Sequence, residues 1–172
     1  MGSIDGLVDN AGTYAAHFPY AGLPASPRLR VAVLTCMDAR IDPAAILGLR
    51  PGDAHVLRNA GAVLTPDVRR SLAISQRKLG TTSVAVIRHT GCGLLNLDAG
   101  DFLDTIAAET GHRPAWPVYA FTDLAADLLD SLADLRTDTA IPHRDDIRGF
   151  VYDAQRTGRL TELGQGELRQ AA

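Results

Sequence analysis

The alternation of short apolar runs with helix signals constrains the fold of this chain more than any other feature. The runs cover residues 29–35, 54–58 and 83–88, and each has the composition of a strand. Between them, residues 43–49 and 66–79 each begin with a proline directly after a residue suited to the N-cap, which predicts two helices. Strands that alternate with helices are typical of an α/β domain with a largely parallel sheet.

The C-terminal half continues this pattern and then changes it. Helices are predicted over residues 101–109 and 123–136. The short stretches 150–152 and 160–163 are joined across a Thr-Gly turn at residues 157–158, which favours a terminal hairpin. The predicted fold class is therefore α/β, with a central, largely parallel sheet flanked by helices and an antiparallel hairpin at its C-terminal edge.

Residues 1–28 differ from the rest because they mix Gly, Ala and Pro with small polar residues. Three prolines are expected to interrupt any helix here, so the segment is predicted to be an N-terminal arm rather than a core element. Tyr14, Phe18 and Tyr20 would be exposed on an isolated arm, which favours packing on a partner subunit. We therefore expect a homo-oligomer in which residues 29–172 form a single domain, within the roughly 100 to 200 residues usual for one.

The charge balance and the hydropathy pattern exclude several classes of partner. Lys and Arg number 17 against 20 Asp and Glu, without a basic block, so nucleic-acid binding is not expected. Apolar runs fall short of the roughly 18 residues that span a bilayer, and the first residues lack a secretory pattern. We therefore expect a soluble cytoplasmic protein with no membrane partner. In that reducing compartment the two cysteines are candidates for metal binding or catalysis.

Two thiols and one imidazole follow the ends of predicted strands. Cys36 comes directly after the first strand, Cys92 follows the third, and His89 lies three residues before Cys92. If these strands are neighbours, the three groups converge, and two thiolates with one imidazole suit zinc by softness and tetrahedral preference. Three protein ligands would leave one position open for an acidified water, which is the arrangement of a catalytic zinc.

A carboxylate and a guanidinium follow the first of these cysteines. Asp38 and Arg40 lie two and four residues after Cys36, so both side chains can lean toward the metal and toward each other. Asp38 could ligate the metal directly and close the site. Alternatively, a bidentate bond to Arg40 could hold it away from the metal, where it would accept a proton from the bound water.

Three motifs taken together resemble one enzyme family. They are C-M-D-A-R at residues 36–40, R-N-A-G at residues 58–61 and H-x-x-C-G at residues 89–93. Their order and spacing resemble the β-class carbonic anhydrases, and the ending with R-G-F-V-Y-D and T-G-R-L is similar to small, single-domain actinobacterial-type members. The resemblance implies zinc-dependent reversible hydration of carbon dioxide to bicarbonate and a proton, by attack of zinc-bound hydroxide.

The resemblance also implies roles for particular residues. Cys36, His89 and Cys92 would be the zinc ligands, and Asp38 paired with Arg40 would be catalytic. We further expect residues that follow the second and third strands to bind the small-molecule substrate: Asn59, Ala60, Gly61 and Gly93.

The resemblance leaves the substrate and the state of the site open. Hydrolases of carbonyl sulfide and carbon disulfide use a similar scaffold with the same ligands and the same Asp-Arg pair, so hydrolysis of either compound is an alternative. A closed structural or regulatory zinc site, with Asp38 as fourth ligand, is a second alternative. The family forms dimers or larger assemblies with an N-terminal arm across a partner, which implies a homodimer or a dimer of dimers.

Two residues depart from the pattern of the small family members. Gly91 stands before the second cysteine, where an acidic or other polar residue is frequent, and Arg88 stands before the histidine. We expect zinc binding to survive both departures and the electrostatics of the pocket to differ.

Overall fold

A five-stranded sheet forms the centre of the computed structural model, which describes residues 2–164. The strand order is β2-β1-β3-β4-β5, and only the β4–β5 pair is antiparallel. The predicted fold class is therefore confirmed, although residues 165–172 of the predicted domain lie outside the described residues. The strands are β1 (Val31–Cys36), β2 (Ala54–Asn59), β3 (Ser83–His89), β4 (Asp146–Tyr152) and β5 (Leu160–Glu162).

Five α-helices accompany the sheet within residues 2–164: α1 (Ser3–Ala15), α2 (Pro43–Leu47), α3 (Pro66–Leu79), α4 (Ala99–Thr110) and α5 (Leu124–Thr137). Side chains at the N-caps start α2 and α3 as predicted, because Asp42 and Thr65 accept hydrogen bonds from the first free backbone N–H groups. Left-handed glycines end both helices, Gly48 after α2 and Gly80 after α3. Within residues 2–164, none of the helices combines the length and the hydrophobicity required to cross a membrane.

Strand β4 is longer than the sequence predicted, because it begins at Asp146 and pairs in parallel with β3 along its whole length. Only its last three residues form the predicted hairpin with β5. Gly149 weakens the strand signal in the middle, and the structure gives the reason for a glycine there. A Cβ atom at this position would lie 2.7 Å from Leu132 Cδ1 of α5, so the glycine permits close packing of the helix on the sheet.

The leucine stripe of α5 belongs to the core. Leu128, Leu132 and Leu135 lie along one face of the helix and are fully buried in the core. On α3, Val68 and Leu72 are buried in the same way. These contacts anchor the strands, so the carboxyl edge of the sheet is a rigid platform.

The N-terminal segment contains a helix that the sequence interpretation did not predict. Helix α1 spans 13 residues, and the three prolines do not disturb it because all of them lie beyond its end. None of its side chains is buried by the part of the chain that the structure describes. At the C-terminal end of the helix, the ring of Tyr14 packs edge to face on Phe18, and Phe18 packs in the same way on Tyr20, with centroids 5.8 and 6.0 Å apart.

Candidate metal centre

The three predicted ligands come together at the carboxyl edge of the sheet. Cys36 is the last residue of β1, His89 is the last residue of β3, and Cys92 follows in the next loop. Because β1 and β3 are neighbouring parallel strands, their carboxyl ends meet. One ligand atom from each residue lies within 4.8 Å of the others, and all three residues are buried.

The hydrogen bonds of His89 fix which ring nitrogen is available for a metal. Its Nδ1 lies 3.0 Å from the Thr90 carbonyl oxygen, which can only accept, so Nδ1 carries the proton and Nε2 has a free lone pair. Nε2 is buried and has no hydrogen-bond partner among residues 2–164. Buried polar atoms are nearly always paired, so this nitrogen and the two adjacent thiols fit a soft divalent cation such as zinc.

The two thiols have different electrostatic environments. Burial raises the pKa of both, and for Cys92 the net pKa remains raised. For Cys36 the contact with His89 and the backbone N–H groups of Asp38 and Gly61 outweigh burial and lower the pKa to about 7. The Gly61 N–H donates directly to Cys36 Sγ at 3.3 Å. Cys36 therefore deprotonates more easily than Cys92, and a metal would have to displace the proton of Cys92.

Asp38 and Arg40 form the predicted bidentate pair beside the ligand atoms. Arg40 Nε lies 2.9 Å from Asp38 Oδ1, and Arg40 Nη2 lies 2.7 Å from Oδ2. These bonds hold the pKa of Asp38 well below its usual range. Asp38 Oδ2 lies 3.9 Å from His89 Nε2, and Arg40 also donates to the Gly91 carbonyl at 2.9 Å. An ionised carboxylate is thus fixed at the edge of the donor group.

Arg58 is a site residue that sequence reasoning missed. Its Nε donates to the Cys36 carbonyl at 3.0 Å and its Nη2 donates to the Asp38 carbonyl at 2.9 Å. The side chain crosses from β2 to β1 and fixes the backbone on both sides of Met37. Its position in R-N-A-G at the end of a strand was the signal that could have indicated a site residue. No local sequence pattern, however, predicts which carbonyls the side chain binds.

A cavity of about 310 Å³ opens beside the donor atoms. Three of the four predicted substrate residues line it, namely Ala60, Gly61 and Gly93. Both polar ends of the Asn59 side chain instead bond the Val63 backbone, at 2.8 and 2.9 Å. Asn59 therefore orders the 3-10 turn that carries Ala60 and Gly61, and a direct contact between Asn59 and substrate stays a prediction. The other residues that line the cavity are Cys36, Met37, Asp38, Cys92 and Leu94.

The two residues that depart from the family pattern occupy different places. Gly91 has a left-handed backbone (φ +63°), and a Cβ atom there would lie 2.7 Å from the side chain of Gln155. A larger residue at this position would therefore require Gln155 to move. Arg88 is buried and is not among the residues that line the 310 Å³ cavity. Any effect of Arg88 on the electrostatics of the cavity therefore does not come from a side chain in the cavity wall.

The fold and the converging donors define an α/β protein with a group of three side chains at a sheet edge that could hold a metal ion, and comparisons with known proteins make the assignment specific. Residues 31–116 match the family model described as Carbonic anhydrase. The chain is 42% identical to Beta-carbonic anhydrase 1 of Mycobacterium tuberculosis, over 95% of this chain and 99% of that protein. It is 41% identical to a carbon disulfide hydrolase of Saccharolobus solfataricus, over 78% of this chain and 76% of that protein.

A solved structure supports the same assignment. The crystal structure of carbonic anhydrase from Streptococcus mutans superposes with a TM-score of 0.88 at 36% identity, over 95% of this chain and 99% of that chain. The chain therefore belongs to the β-class carbonic anhydrase family. This confirms the resemblance that the three motifs carried and the expectation of an enzyme.

Proposed function

We propose that this protein is a zinc-dependent carbonic anhydrase that catalyses the reversible hydration of carbon dioxide, with Cys36, His89 and Cys92 as zinc ligands. The observation that carries the proposal is the unpaired, buried Nε2 of His89 beside two thiols and an ionised aspartate. Both cysteines are free, which agrees with a reducing compartment such as the cytoplasm.

A zinc ion with three protein ligands would supply the Lewis acidity that makes water nucleophilic near neutral pH. The residues of the chain contribute orientation and proton transfer. Asp38 is ionised and can accept a proton from water at Oδ2, the oxygen 3.9 Å from His89 Nε2. Arg40 fixes both carboxylate oxygens, and its bond to the Gly91 carbonyl fixes Arg40 in turn.

The same contacts favour an open site over the closed alternative. Both oxygens of Asp38 are engaged by Arg40, so the carboxylate would have to give up part of this pairing to become a fourth ligand. We therefore assign Asp38 the role of proton acceptor. The wall of the cavity beside the donors includes Met37, Ala60 and Leu94, whose apolar side chains suit a small, uncharged linear molecule such as carbon dioxide.

Hydrolysis of carbon disulfide or carbonyl sulfide is the second candidate function. The observation in its favour is the 41% identity to a carbon disulfide hydrolase. These substrates are also small, linear and apolar, so the same wall and the same proton acceptor would serve them. The two candidate functions are distinguished by which substrate the enzyme turns over, and all of the substrates can be measured on one preparation.

We further propose that the protein is a homodimer in which α1 packs across the partner. Its residues Ile4, Leu7 and Val8 are exposed, and their burial needs a surface outside the chain's own core. An apolar groove of about 720 Å³ adjoins the metal cavity, with which it shares Ala60 and Leu94. Its wall includes exposed aromatic side chains that an apolar helix face would cover: Phe102, Trp116 and Tyr119.

Stopped-flow measurement of carbon dioxide hydration by zinc-replete protein, at about pH 8.5 so that the nucleophile is formed, tests the proposed function. We expect rapid turnover that a chelator abolishes and that added zinc restores. Carbonyl sulfide and carbon disulfide are offered to the same preparation. Turnover of a sulfur compound without hydration of carbon dioxide would establish the second candidate, and a zinc-replete protein inactive on all three would overturn both.

A further inference from the structure

Arg88 is a buried charge next to a proposed ligand, and the proposed chemistry does not use it. Its side chain is only 2% exposed, although it directly precedes His89 in β3. Burial of a guanidinium is costly unless charge and hydrogen bonds compensate. The compensation comes from α5, where the Asp127 carboxylate forms an ion pair with Arg88 and Ser131 Oγ lies 3.1 Å from Nη2. The Phe121 ring centroid lies 5.3 Å from the guanidinium carbon.

The remaining contact of Arg88 leads to the metal centre. Its Nη1 donates to the carbonyl oxygen of Gly61. Gly61 is the residue whose own N–H donates to Cys36 Sγ at 3.3 Å. One glycine therefore links the buried guanidinium to a proposed metal ligand through its two backbone polar groups.

Gly61 needs such an anchor because its conformation is unusual. Its φ of +76° lies in the left-handed region, and glycine adopts many other conformations at little cost. The space around it admits no side chain, since a Cβ atom would lie 2.6 Å from Leu94 Cδ1. A fixed carbonyl restricts the rotation of the turn and keeps the N–H directed at the sulfur.

We propose that Arg88 is a positioning residue of the metal centre: held by Asp127 and Ser131, it fixes the Gly61 carbonyl and thereby keeps the Gly61 N–H on Cys36 Sγ. This inference rests on the proposed function, since it presumes that Cys36 is a metal ligand. An N–H donor to a thiolate reduces the charge that the sulfur gives to a metal and fixes its direction. Loss of Arg88 is expected to alter the metal centre without removing any ligand.

The competing explanation is that the ion pair only fastens α5 to β3. In that case its loss would lower stability and leave the metal site as it was. Cobalt(II) substitution separates the two explanations, because the thiolate-to-cobalt absorption bands report the geometry and the charge of the sulfur ligands. Competition with a chelator, using zinc as the probe, gives the dissociation constant independently of any activity.

The decisive variant is R88M, with R88M/D127N as a companion that leaves no unpaired, partly buried carboxylate if the single variant does not fold. We expect shifted cobalt bands and a zinc dissociation constant raised by roughly 10- to 100-fold, as for loss of an outer contact of a metal ligand. R88K keeps the positive charge but lacks the planar guanidinium that bonds several partners at once. Its stability should therefore lie closer to that of the wild type than its cobalt spectrum does.

R136M is the matched control. Arg136 of α5 likewise donates from a guanidinium to a backbone carbonyl, that of Ile147 at 2.7 Å, in a partly buried contact that involves none of the proposed ligands. This variant should lower the melting temperature and leave the cobalt spectrum unchanged. Wild-type cobalt bands and zinc affinity in folded R88M or R88M/D127N would overturn the inference. Wild-type protein that binds neither metal would instead overturn the proposed function.

Discussion

The carboxyl edge of the sheet and helix α1 differ in how far their side chains are packed by the rest of the chain. At the sheet edge, residues from β1, β2 and β3 meet, the proposed ligands are buried, and arginines bind the loops that carry them. In α1 the apolar side chains Ile4, Leu7 and Val8 are 73, 66 and 63% exposed. One region is fixed by contacts within the chain, whereas residues 2–164 bury none of the side chains of the other.

This difference separates two properties of the protein. A helix of 13 residues is marginal on its own in water, so α1 depends on a further surface for its stability. The three proposed metal ligands all lie within a single chain. We therefore expect changes at the sheet edge to affect metal binding and turnover, and changes in α1 to affect assembly while metal binding stays unchanged.

The largest effect is expected from removal of a ligand. C36A should reduce bound zinc from about one ion per chain to a small fraction, because two remaining donors hold the ion poorly. Some stability should be lost as well, since the metal ties two strand ends together. Elemental analysis after dialysis measures the zinc, and M37L, which alters the neighbouring side chain but no donor, should keep it. Full zinc in C36A would refute the ligand assignment.

The next effect concerns Asp38 and distinguishes turnover from binding. D38A should lower carbon dioxide hydration by about 10²- to 10⁴-fold, the range of a lost general base, while zinc content stays unchanged. Asp42 is the control carboxylate, because it caps α2 through the N–H groups of Ala44 and Ala45. D42A should cost about 1 kcal/mol of stability and leave turnover intact. Zinc lost from D38A would indicate a ligand and favour the closed site.

The proposed role of α1 in assembly is tested by charged residues on its apolar face. I4E/L7E should convert the proposed dimer to a monomer, because two carboxylates cannot be buried in an apolar groove without partners. Light scattering measures the mass, and zinc content should remain that of the wild type. N10E places one charge on an exposed polar position of the same helix and should stay dimeric. An I4E/L7E protein with unchanged mass would show that α1 does not mediate assembly.

The smallest effect concerns a turn that supports the sheet edge. Asp153 accepts hydrogen bonds from Thr157 and from Thr90, the residue after His89, and the Thr157 side chain contributes most to lowering its pKa to about 2. The unfolded value is about 3.9. Asp153 therefore stabilises the fold above about pH 4, and this contribution is lost as pH falls through about 2.

D153N should thus melt slightly below the wild type at neutral pH, and the difference should vanish near pH 2. Thermal unfolding across this pH range measures the effect. D145N removes an exposed carboxylate in the loop before β4 and serves as the control. A difference between D153N and wild type that stays constant down to pH 2 would contradict the assigned pKa shift.

The sequence by itself determined the local elements and the chemistry of the site. Apolar runs placed β1, β2 and β3 nearly to their observed bounds, since a buried strand has to be apolar. Side-chain caps placed α2 and α3, because free N–H groups need acceptors within a few residues. The donors Cys36, His89 and Cys92 followed from their positions at strand ends, a property that is local in sequence.

Only the tertiary structure decided which strands are neighbours and where the long polar side chains go. It placed β1 between β2 and β3, which brought the donors together. It directed Arg58 to the carbonyls around Met37 and Arg88 to Gly61, over separations of about 20 residues or more. Periodicity reports whether a residue faces the core, whereas the partner of a flexible guanidinium depends on which distant backbone the fold brings within reach.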